Sequence, residues 1–481
     1  MSRAYETMRL HLTWPLLKQA VITPKTCFSY SVTSRCAVNT GCKLVKRRKE
    51  RKPKLPADWH TLSWEERPAD TVTPLWRMSY AEQLQWKQEQ QHKILLEMTK
   101  QLAQDSMHPF SNDLRFPLLP IVASPVSDGY RNKSTFSVNV GVDGNPKTVG
   151  FYIGTGKAGN IVCVHGDHLL NMPSKHKMVA RHYEDFIRLS PLKPCILLHD
   201  GGHWREITIR TNSTSHTMAI VYFHPQTLTP EEIAVHKAAL VEYFTQGPGS
   251  VCQLDSLYFQ ETTMTRCSHK QSPYQLLHGQ SHIFEEVLGF RFRISADSFF
   301  QVNRGAAEAL YKTVAEMNRA CVGGTLLDVC CGTGAIGISL SPQMERVIGI
   351  ELIEQAVEDA RFNAALNRVH NCEYLSGKAE VVLPNLMATL NSDGGLTAVV
   401  NPSRAGLHYR VVRALRNHPA IRRLVYISCK PDGEAMRNFK ELCSSDYKRK
   451  IIGEAFKPTV AVPVDLFPHT LHCELVLVFE R

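Results

Sequence analysis

The chain has 481 residues, of which 43% are apolar, so it is long enough for two or three domains with ordinary buried cores, and wholesale disorder is excluded. No stretch reaches the ~18–20 apolar residues that a membrane-spanning helix needs, so no membrane partner is expected. The formal net charge of +11 is carried entirely by residues 1–54, which contain 13 Lys/Arg and 2 Asp/Glu, so charge alone does not establish a nucleic-acid partner for the rest of the chain.

The amino-terminal segment has the composition of a targeting signal. Residues 1–40 contain five basic residues and one acid, Glu6, and are rich in Ser and Thr. This composition is typical of an organelle transit peptide, for which the mitochondrion is the favoured destination, and a disordered basic tail is the alternative. The basic run Lys43–Lys54 is interpreted as a solvated tail rather than a contact for RNA phosphates. We therefore assign 1–54 to a transit peptide and basic tail, and we expect a location in the mitochondrial matrix.

The 14 cysteines are dispersed along the chain and include no Cys-x-x-Cys pair. Zinc-ribbon and iron–sulfur spacings are therefore absent, and the histidines form no coherent metal-binding pattern either. We expect free thiols, a reducing compartment and no bound metal.

Residues 55–108 are predicted to be a linker that contains one amphipathic helix. Apolar residues at helical spacing indicate a helix over 79–104, and Ser79 with Glu82 three residues later is typical of an amino-terminal capping box. The helix requires no chemistry to explain it.

Residues 109–290 are predicted to form a separate α+β domain. Apolar residues alternate on both sides of the turn signal Asp143–Pro146, which predicts a hairpin. A second hairpin is predicted to pair Ile207–Ile209 with Met218–Tyr222, and helices are expected at 175–189 and 230–244.

Residues 291–481 are predicted to form an α/β domain, because helices and short apolar strands alternate after residue 305. Such alternation favours a doubly wound, mostly parallel sheet. The buried strands are expected at Thr325–Cys330, Arg346–Ile350, Ala398–Val400 and Leu424–Ile427.

A glycine-rich turn follows the first of these strands, in Asp328–Gly337. Glycines allow positive φ angles and a close approach of the backbone to a ligand. Glu351 lies 23 residues after Asp328, at the tip of the next strand, where an acid can bind both hydroxyls of a ribose. The pattern predicts a nucleoside cofactor rather than a simple tight turn, and Asp328 is expected to face a cationic end of that cofactor.

Cys429 lies at the carboxyl end of a late strand, the edge at which open α/β sheets bind ligands. The adjacent Lys430 is expected to help lower the pKa of its thiol. Taken alone, a cysteine in this position is more often structural than catalytic.

Five segments in order give the region from about 290 to 481 a resemblance to a known family. It resembles the RNA 5-methyluridine methyltransferases, and a weaker match to the family's RNA-contacting region lies at Tyr130–Lys133. The five segments are Phe292–Asn303, Asp328–Gly337, Val400–Gly406, Ser428–Pro431 and His469–Glu474.

The resemblance implies a Rossmann-like class I methyltransferase domain, preceded by an α+β RNA-binding region, that uses S-adenosylmethionine. It implies that Cys429 is the nucleophile that adds to carbon 6 of uracil and that Glu474 accepts the proton from carbon 5. It also implies a monomer acting on the T-loop uridine of mitochondrial tRNA, and it leaves a small-subunit rRNA uridine open as a second target. The residues assigned to the cofactor are Gln301, Gly332, Glu351 and Asn401.

An enzyme of this kind must extrude its target base, and Phe299 or Phe300 could stack on that base. Both could equally be core aromatic residues, and the sequence does not decide between the two.

Three residues depart from the family's motifs. Asn401 replaces an Asp, Ser403 replaces a Pro and Lys430 replaces an Asn, which puts the rate in doubt more than the reaction type. The cysteines that hold an iron–sulfur cluster in some ribosomal RNA members are missing, which favours a tRNA enzyme.

Three other functions compete with this one. The first is a catalytically weak RNA-binding protein that retains the fold, but a binder needs neither Cys429 nor Glu474. The second is a cytosine methyltransferase, which the Ser428–Pro431 segment fits less well. The third is a small-molecule methyltransferase, against which the large region before the sheet argues by analogy.

Overall fold

The computed structural model describes residues 62–106, 113–154, 161–196, 201–263, 272–318, 322–390, 395–444 and 451–481. The predicted transit peptide and basic run at 1–54 lie outside these residues. Among the helices within them, none is both long and apolar enough to cross a membrane.

The described helices fall mainly where apolar residues recur at helical spacing, and the predicted helices at 175–189 and 230–244 are confirmed. The helices are α1 Glu66–Val72, α2 Tyr80–Ser106, α3 Ser174–Leu189, α4 Pro230–Thr245, α5 Arg304–Asn318, α6 Ala335–Leu340, α7 Glu354–Leu366, α8 Ala379–Met387, α9 Tyr409–Asn417 and α10 Glu434–Cys443.

The first of two seven-stranded sheets belongs to the central region, and it contains both predicted hairpins. Its order is β3-β2-β1-β4-β5-β6-β7, and every pair is antiparallel except β5 with β6. Helices α3 and α4 pack on it around the fully buried Trp204. The strands are β1 Lys133–Asn139, β2 Thr148–Ile153, β3 Val162–Val164, β4 Trp204–Thr211, β5 Thr217–Phe223, β6 Ser256–Glu261 and β7 Gln275–Gly279.

The second sheet confirms the predicted doubly wound α/β fold. Its order is β12-β11-β10-β13-β14-β16-β15; the first five strands are parallel, and β16 is antiparallel to both of its neighbours. The order reverses between β10 and β13, which creates the crevice where such sheets bind ligands. The strands are β10 Thr325–Val329, β11 Arg346–Glu351, β12 Cys372–Ser376, β13 Leu396–Val400, β14 Ile421–Ser428, β15 Lys457–Val464 and β16 Glu474–Glu480.

Both faces of this sheet are buried, which explains why its strands read as continuous apolar runs rather than as alternating ones. Helices α5, α6 and α7 contribute to the core on one face. Helices α8, α9 and α10 contribute to the core on the other face, and so does α2 through Leu95 and Met98.

Helix α2 begins as predicted, but its packing could not be read from the sequence. The capping box is present: Ser79 N donates to Glu82 Oε2 over 2.7 Å, and Glu82 N donates to Ser79 Oγ over 3.4 Å. The segment predicted as a linker thus contains a helix that is part of the core of the methyltransferase sheet.

A hairpin of β8 Ile283–Val287 and β9 Phe290–Ile294 spans the predicted boundary at 290/291. This hairpin was not predicted from the sequence. The division of the chain into domains at 54, 108 and 290 stays a prediction.

Candidate active site

The glycine-rich turn lies at the carboxyl end of β10, next to the reversal of strand order. Cys330, Gly332 and Gly334 all have positive φ angles, of 67°, 56° and 80°. A side chain at Gly334 would collide with the Tyr374 hydroxyl, whereas a Cβ at Gly332 would meet nothing within 4 Å. The turn therefore exposes its backbone at Gly332, as a ligand cradle requires.

Glu351 closes the side of this turn. Its Oε2 accepts from Gly332 N over 3.0 Å, and its Oε1 accepts from Leu352 N over 2.7 Å and from Ile353 N over 3.0 Å. The carboxylate is only partly buried, and the side chains of Leu352 and Ile353 are 57% and 49% exposed. The structure thus brings the predicted acid and the predicted glycine into direct contact, beside two exposed apolar side chains.

The carboxylate of Asp328 is hydrogen-bonded to the turn itself through one oxygen, while the other oxygen has no hydrogen-bond partner among the described residues, and its expected contact with the cationic end of a cofactor stays a prediction. The residue is fully buried, and its Oδ2 accepts from Gly337 N over 2.9 Å. Burial raises its pKa to about 7, with the negative charge of Glu351 adding to the effect and the Gly337 N–H opposing it. Its carboxylate thus joins the end of β10 to the first turn of α6.

The other two predicted cofactor residues lie on separate elements. Asn401 directly follows β13, and its N–H donates to Val329 O over 3.2 Å, at the reversal of strand order. Gln301 is buried, and its backbone oxygen accepts from Asn132 Nδ2 over 2.8 Å. Gln301 is thereby joined to the Tyr130–Lys133 segment that resembles an RNA-contacting region.

Strand pairing brings Cys429 and Glu474 to the same edge of the sheet. Ser428 pairs with Leu475 at the end of the antiparallel register of β14 and β16, so the residues that come next at this edge are Cys429 and Glu474. The two groups are close enough for the negative charge of Glu474 to raise the pKa of the Cys429 thiol. Two residues 45 apart in sequence therefore meet at the edge that also carries the glycine turn.

The Glu474 carboxyl group is in an unusual environment for an acid. The residue is 4% exposed, and Oε2 has no hydrogen-bond partner among the described residues. Burial raises its pKa to about 8, while the positive charge of Arg404 acts in the opposite direction. A carboxylate in this state can both take up and release a proton near neutral pH.

Arg404 also acts on the thiol of Cys429. Burial and the negative charge of Glu474 raise the pKa of Cys429 above its ordinary value, whereas a hydrogen bond from Arg404 and its charge lower it. Lys430 was expected to lower this pKa, whereas Arg404, which lies within the matched segment Val400–Gly406, was assigned no role from the sequence. Arg404 therefore lowers the pKa of both Cys429 and Glu474.

The two phenylalanines before Gln301 lie in different environments. Phe300 is buried and packs against Phe292 at a ring distance of 6.0 Å, whereas Phe299 is 64% exposed. Phe300 is thus a core residue, and only Phe299 is free to stack on a base.

Comparisons with known proteins give the family. A family model described as tRNA (Uracil-5-)-methyltransferase matches residues 280–481. The chain is 80% identical to tRNA (uracil-5-)-methyltransferase homolog B of Danio rerio, with 100% of both chains covered. It is 56% identical to homolog B of Homo sapiens, over 87% of this chain and 84% of that one.

A solved structure shows the same fold. The crystal structure of Pyrococcus abyssi tRNA (uracil-54, C5)-methyltransferase in complex with S-adenosyl-L-homocysteine matches with a TM-score of 0.60. The match covers 86% of each chain at 23% sequence identity.

Proposed function

The chain belongs to the tRNA (uracil-5-)-methyltransferase family, and from that premise we propose that it methylates the T-loop uridine of mitochondrial tRNA by covalent addition of Cys429 to carbon 6 of uracil. A uridine of mitochondrial small-subunit rRNA is proposed as a second target. Membership makes the chain an S-adenosylmethionine-dependent RNA methyltransferase that acts on tRNA. The T-loop position follows the Pyrococcus abyssi neighbour, whose name specifies uracil-54.

The residues at the glycine turn fit S-adenosylmethionine. The backbone at Gly332 borders open space that the cofactor can occupy. The Glu351 carboxylate lies beside it and can accept hydrogen bonds from the ribose hydroxyls. The side chain of Leu352 is exposed next to Glu351 and can pack against the adenine ring. Asn401 and Gln301 are the further residues proposed to hold the cofactor. When bound, S-adenosylmethionine supplies an electrophilic methyl group.

The proposed mechanism rests on the proximity of Cys429 and Glu474. The Cys429 thiolate forms a bond to carbon 6 of uracil, and the ring electrons move to give an enolate that is nucleophilic at carbon 5. Carbon 5 then takes the methyl group, and the electron pair of the broken bond remains on the departing sulfur of S-adenosylhomocysteine. Glu474 removes the proton from carbon 5, and the returning electrons expel the Cys429 thiolate.

The position of Cys429 and Glu474 at one sheet edge is the observation that carries this proposal, because the addition and the proton removal must occur on one ring.

The proposal predicts loss of 5-methyluridine from mitochondrial RNA when this protein is absent. Mass spectrometry of mitochondrial tRNA and small-subunit rRNA should detect the nucleoside in normal cells and not in deletion cells. The full chain should restore it, and a chain without residues 1–54 should not, because it would lack the targeting signal. Unchanged 5-methyluridine in both RNAs would contradict the function, and rescue by the truncated chain would contradict the location.

The two raised pKa values predict a pH dependence. Cys429 and Glu474 both act in their deprotonated forms, so the rate of complete turnover should fall as the pH decreases below about 8, the pKa of Glu474. Arg404 lowers both pKa values, so Arg404→Gln should move the profile to higher pH. Arg410→Gln removes an equal charge outside the site and should leave the profile in place. A profile that rises on acidification would contradict the two roles.

A further inference from the structure

The loop of residues 465–473 joins β15 to β16 and ends directly before Glu474. We propose that Gln83 and Lys87 of helix α2 are positioning residues that hold this 465–473 loop and thereby aim the Glu474 carboxylate at carbon 5 of the target base. The inference rests on the proposed function and adds a role for the amino-terminal helix in the proton-removal step.

Glu474 depends on its backbone for orientation. Its Oε2 has no hydrogen-bond partner in the part of the chain that the structure describes, so that oxygen is not held in place by another side chain. Its backbone is fixed on one side by pairing with Val464 of β15. The 465–473 loop lies between these two paired residues and therefore controls how β16 begins.

Lys87 holds the start of the loop through a buried ion pair. Its Nζ donates to Asp465 Oδ1 over 2.7 Å, and both side chains are completely buried. The same Nζ donates to the Phe467 backbone oxygen over 2.9 Å. A buried pair of this kind contributes little net stability but specifies one geometry, because neither charge tolerates the loss of its partner. The start of the loop is thus fixed to α2.

Gln83, one helical turn earlier, holds the middle of the loop. Its Oε1 accepts from His469 N over 2.7 Å, and its Nε2 lies 3.1 Å from His469 Nδ1. The other ring nitrogen of His469 lies 2.6 Å from Asp128 Oδ1. His469 has a φ of 67°, which is uncommon for a residue other than glycine and requires support from its surroundings. Gln83 supplies that support from a fully buried position.

Tyr130, in the segment that resembles an RNA-contacting region, and Asn303 bind the 465–473 loop on the side away from α2. Tyr130 Oη donates to Pro468 O over 3.0 Å, and Asn303 Nδ2 donates to Leu466 O over 3.2 Å. The loop is therefore clamped between α2 and the segments that flank Gln301. Only four residues, 470–473, separate the clamped part from Glu474.

A selective kinetic effect follows from this arrangement. Cys429 directly follows β14, which the 465–473 loop does not carry, so addition to carbon 6 and methyl transfer should not require the clamp. Proton removal should require it, because a displacement of about 1 Å can slow a positioned step by ~100-fold. A general loss of folded protein would instead slow every step in the same proportion.

The test compares two RNA substrates with full-length protein variants. A tRNA transcript with 5-fluorouridine at the target position reports addition and methylation alone, because the fluorine cannot leave as a proton does. The same transcript with uridine reports complete turnover. For Gln83→Leu we expect adduct formation on the fluorinated RNA within about twofold of the wild type, a ~10–100-fold lower turnover on uridine, and accumulation of a methylated covalent adduct with uridine RNA.

Leu95→Ala is the matched control, because it lies on the same helix and weakens the core without touching the loop. It should lower both rates by one common factor. Gln83→Met, which retains the side-chain volume, serves if Gln83→Leu does not fold. Equal loss of both rates in the Gln83 variants, or no loss in either, would overturn the positioning role. Absence of a fluorinated adduct with the wild type would instead overturn the covalent mechanism itself.

Discussion

Replacing Cys429 with alanine is expected to abolish 5-methyluridine formation, with kcat reduced by roughly 10⁴-fold or more, because carbon 5 becomes nucleophilic only after the thiolate has added to carbon 6. The methyl group has no acceptor unless carbon 5 first becomes nucleophilic. Carbon 5 of free uracil is a poor nucleophile, so placing the substrates side by side gives little reaction. The measurement is transfer of labelled methyl from S-adenosylmethionine to a tRNA transcript.

The fold should survive this change, since the cysteine is only half-buried and lies after the end of β14. S-adenosylmethionine binding should also be retained, because the proposed cofactor residues lie on other segments of the chain. Cys443→Ala, at the end of α10, is the matched control and should keep full activity. Residual methylation within tenfold of the wild type by Cys429→Ala would exclude the covalent mechanism and favour direct transfer or another nucleophile.

The parallel sheet could be predicted from the sequence because each of its central strands is a short apolar run with a distinct boundary. Leu326, Leu327 and Val329 are completely buried between the two helical layers, so nothing in this segment had to alternate. The glycine turn and Glu351 could be predicted for a related reason, since their roles depend on local backbone geometry and on a fixed spacing.

Contacts between distant segments could not be predicted in the same way. Lys87 and Asp465 are 378 residues apart, and an isolated lysine on a polar helix normally lies in water. The hydrogen bond from the Gly337 N–H to the Asp328 carboxylate was also not predicted, because it depends on how α6 packs against the end of β10. In both cases a tertiary hydrogen bond decided the position of a charge.

The proximity of Cys429 and Glu474 could be predicted only in part. The sequence required the two residues to converge, but only the antiparallel insertion of β16 between β14 and β15 brings them to the same sheet edge. Arg404 was missed for the same reason, because its effect on both groups depends on where the loop after β13 lies.

Replacing Glu474 with glutamine is expected to stop the reaction after methyl transfer and to trap the RNA on the protein. Addition of Cys429 and methylation of carbon 5 need no base at 474, but expulsion of the thiolate requires loss of the carbon 5 proton. The variant should therefore accumulate a covalent complex that carries the labelled methyl group, visible as a shifted band on a denaturing gel. Turnover should fall by ~100-fold or more. A double variant that also lacks Cys429 should form no complex.

The same substitution should make the folded protein more stable, which separates a catalytic role from a structural one. The pKa of Glu474 is about 8 in the folded protein against an ordinary value of 4.5, so between these values the folded state binds more protons and ionisation favours unfolding. Glutamine removes that charge, and the expected gain is about 1–3 kcal/mol, present near pH 8 and absent near pH 4. Thermal unfolding at the two pH values measures it. A lower melting temperature at pH 8 would indicate that Glu474 supports the fold, and that the loss of turnover does not report on proton removal.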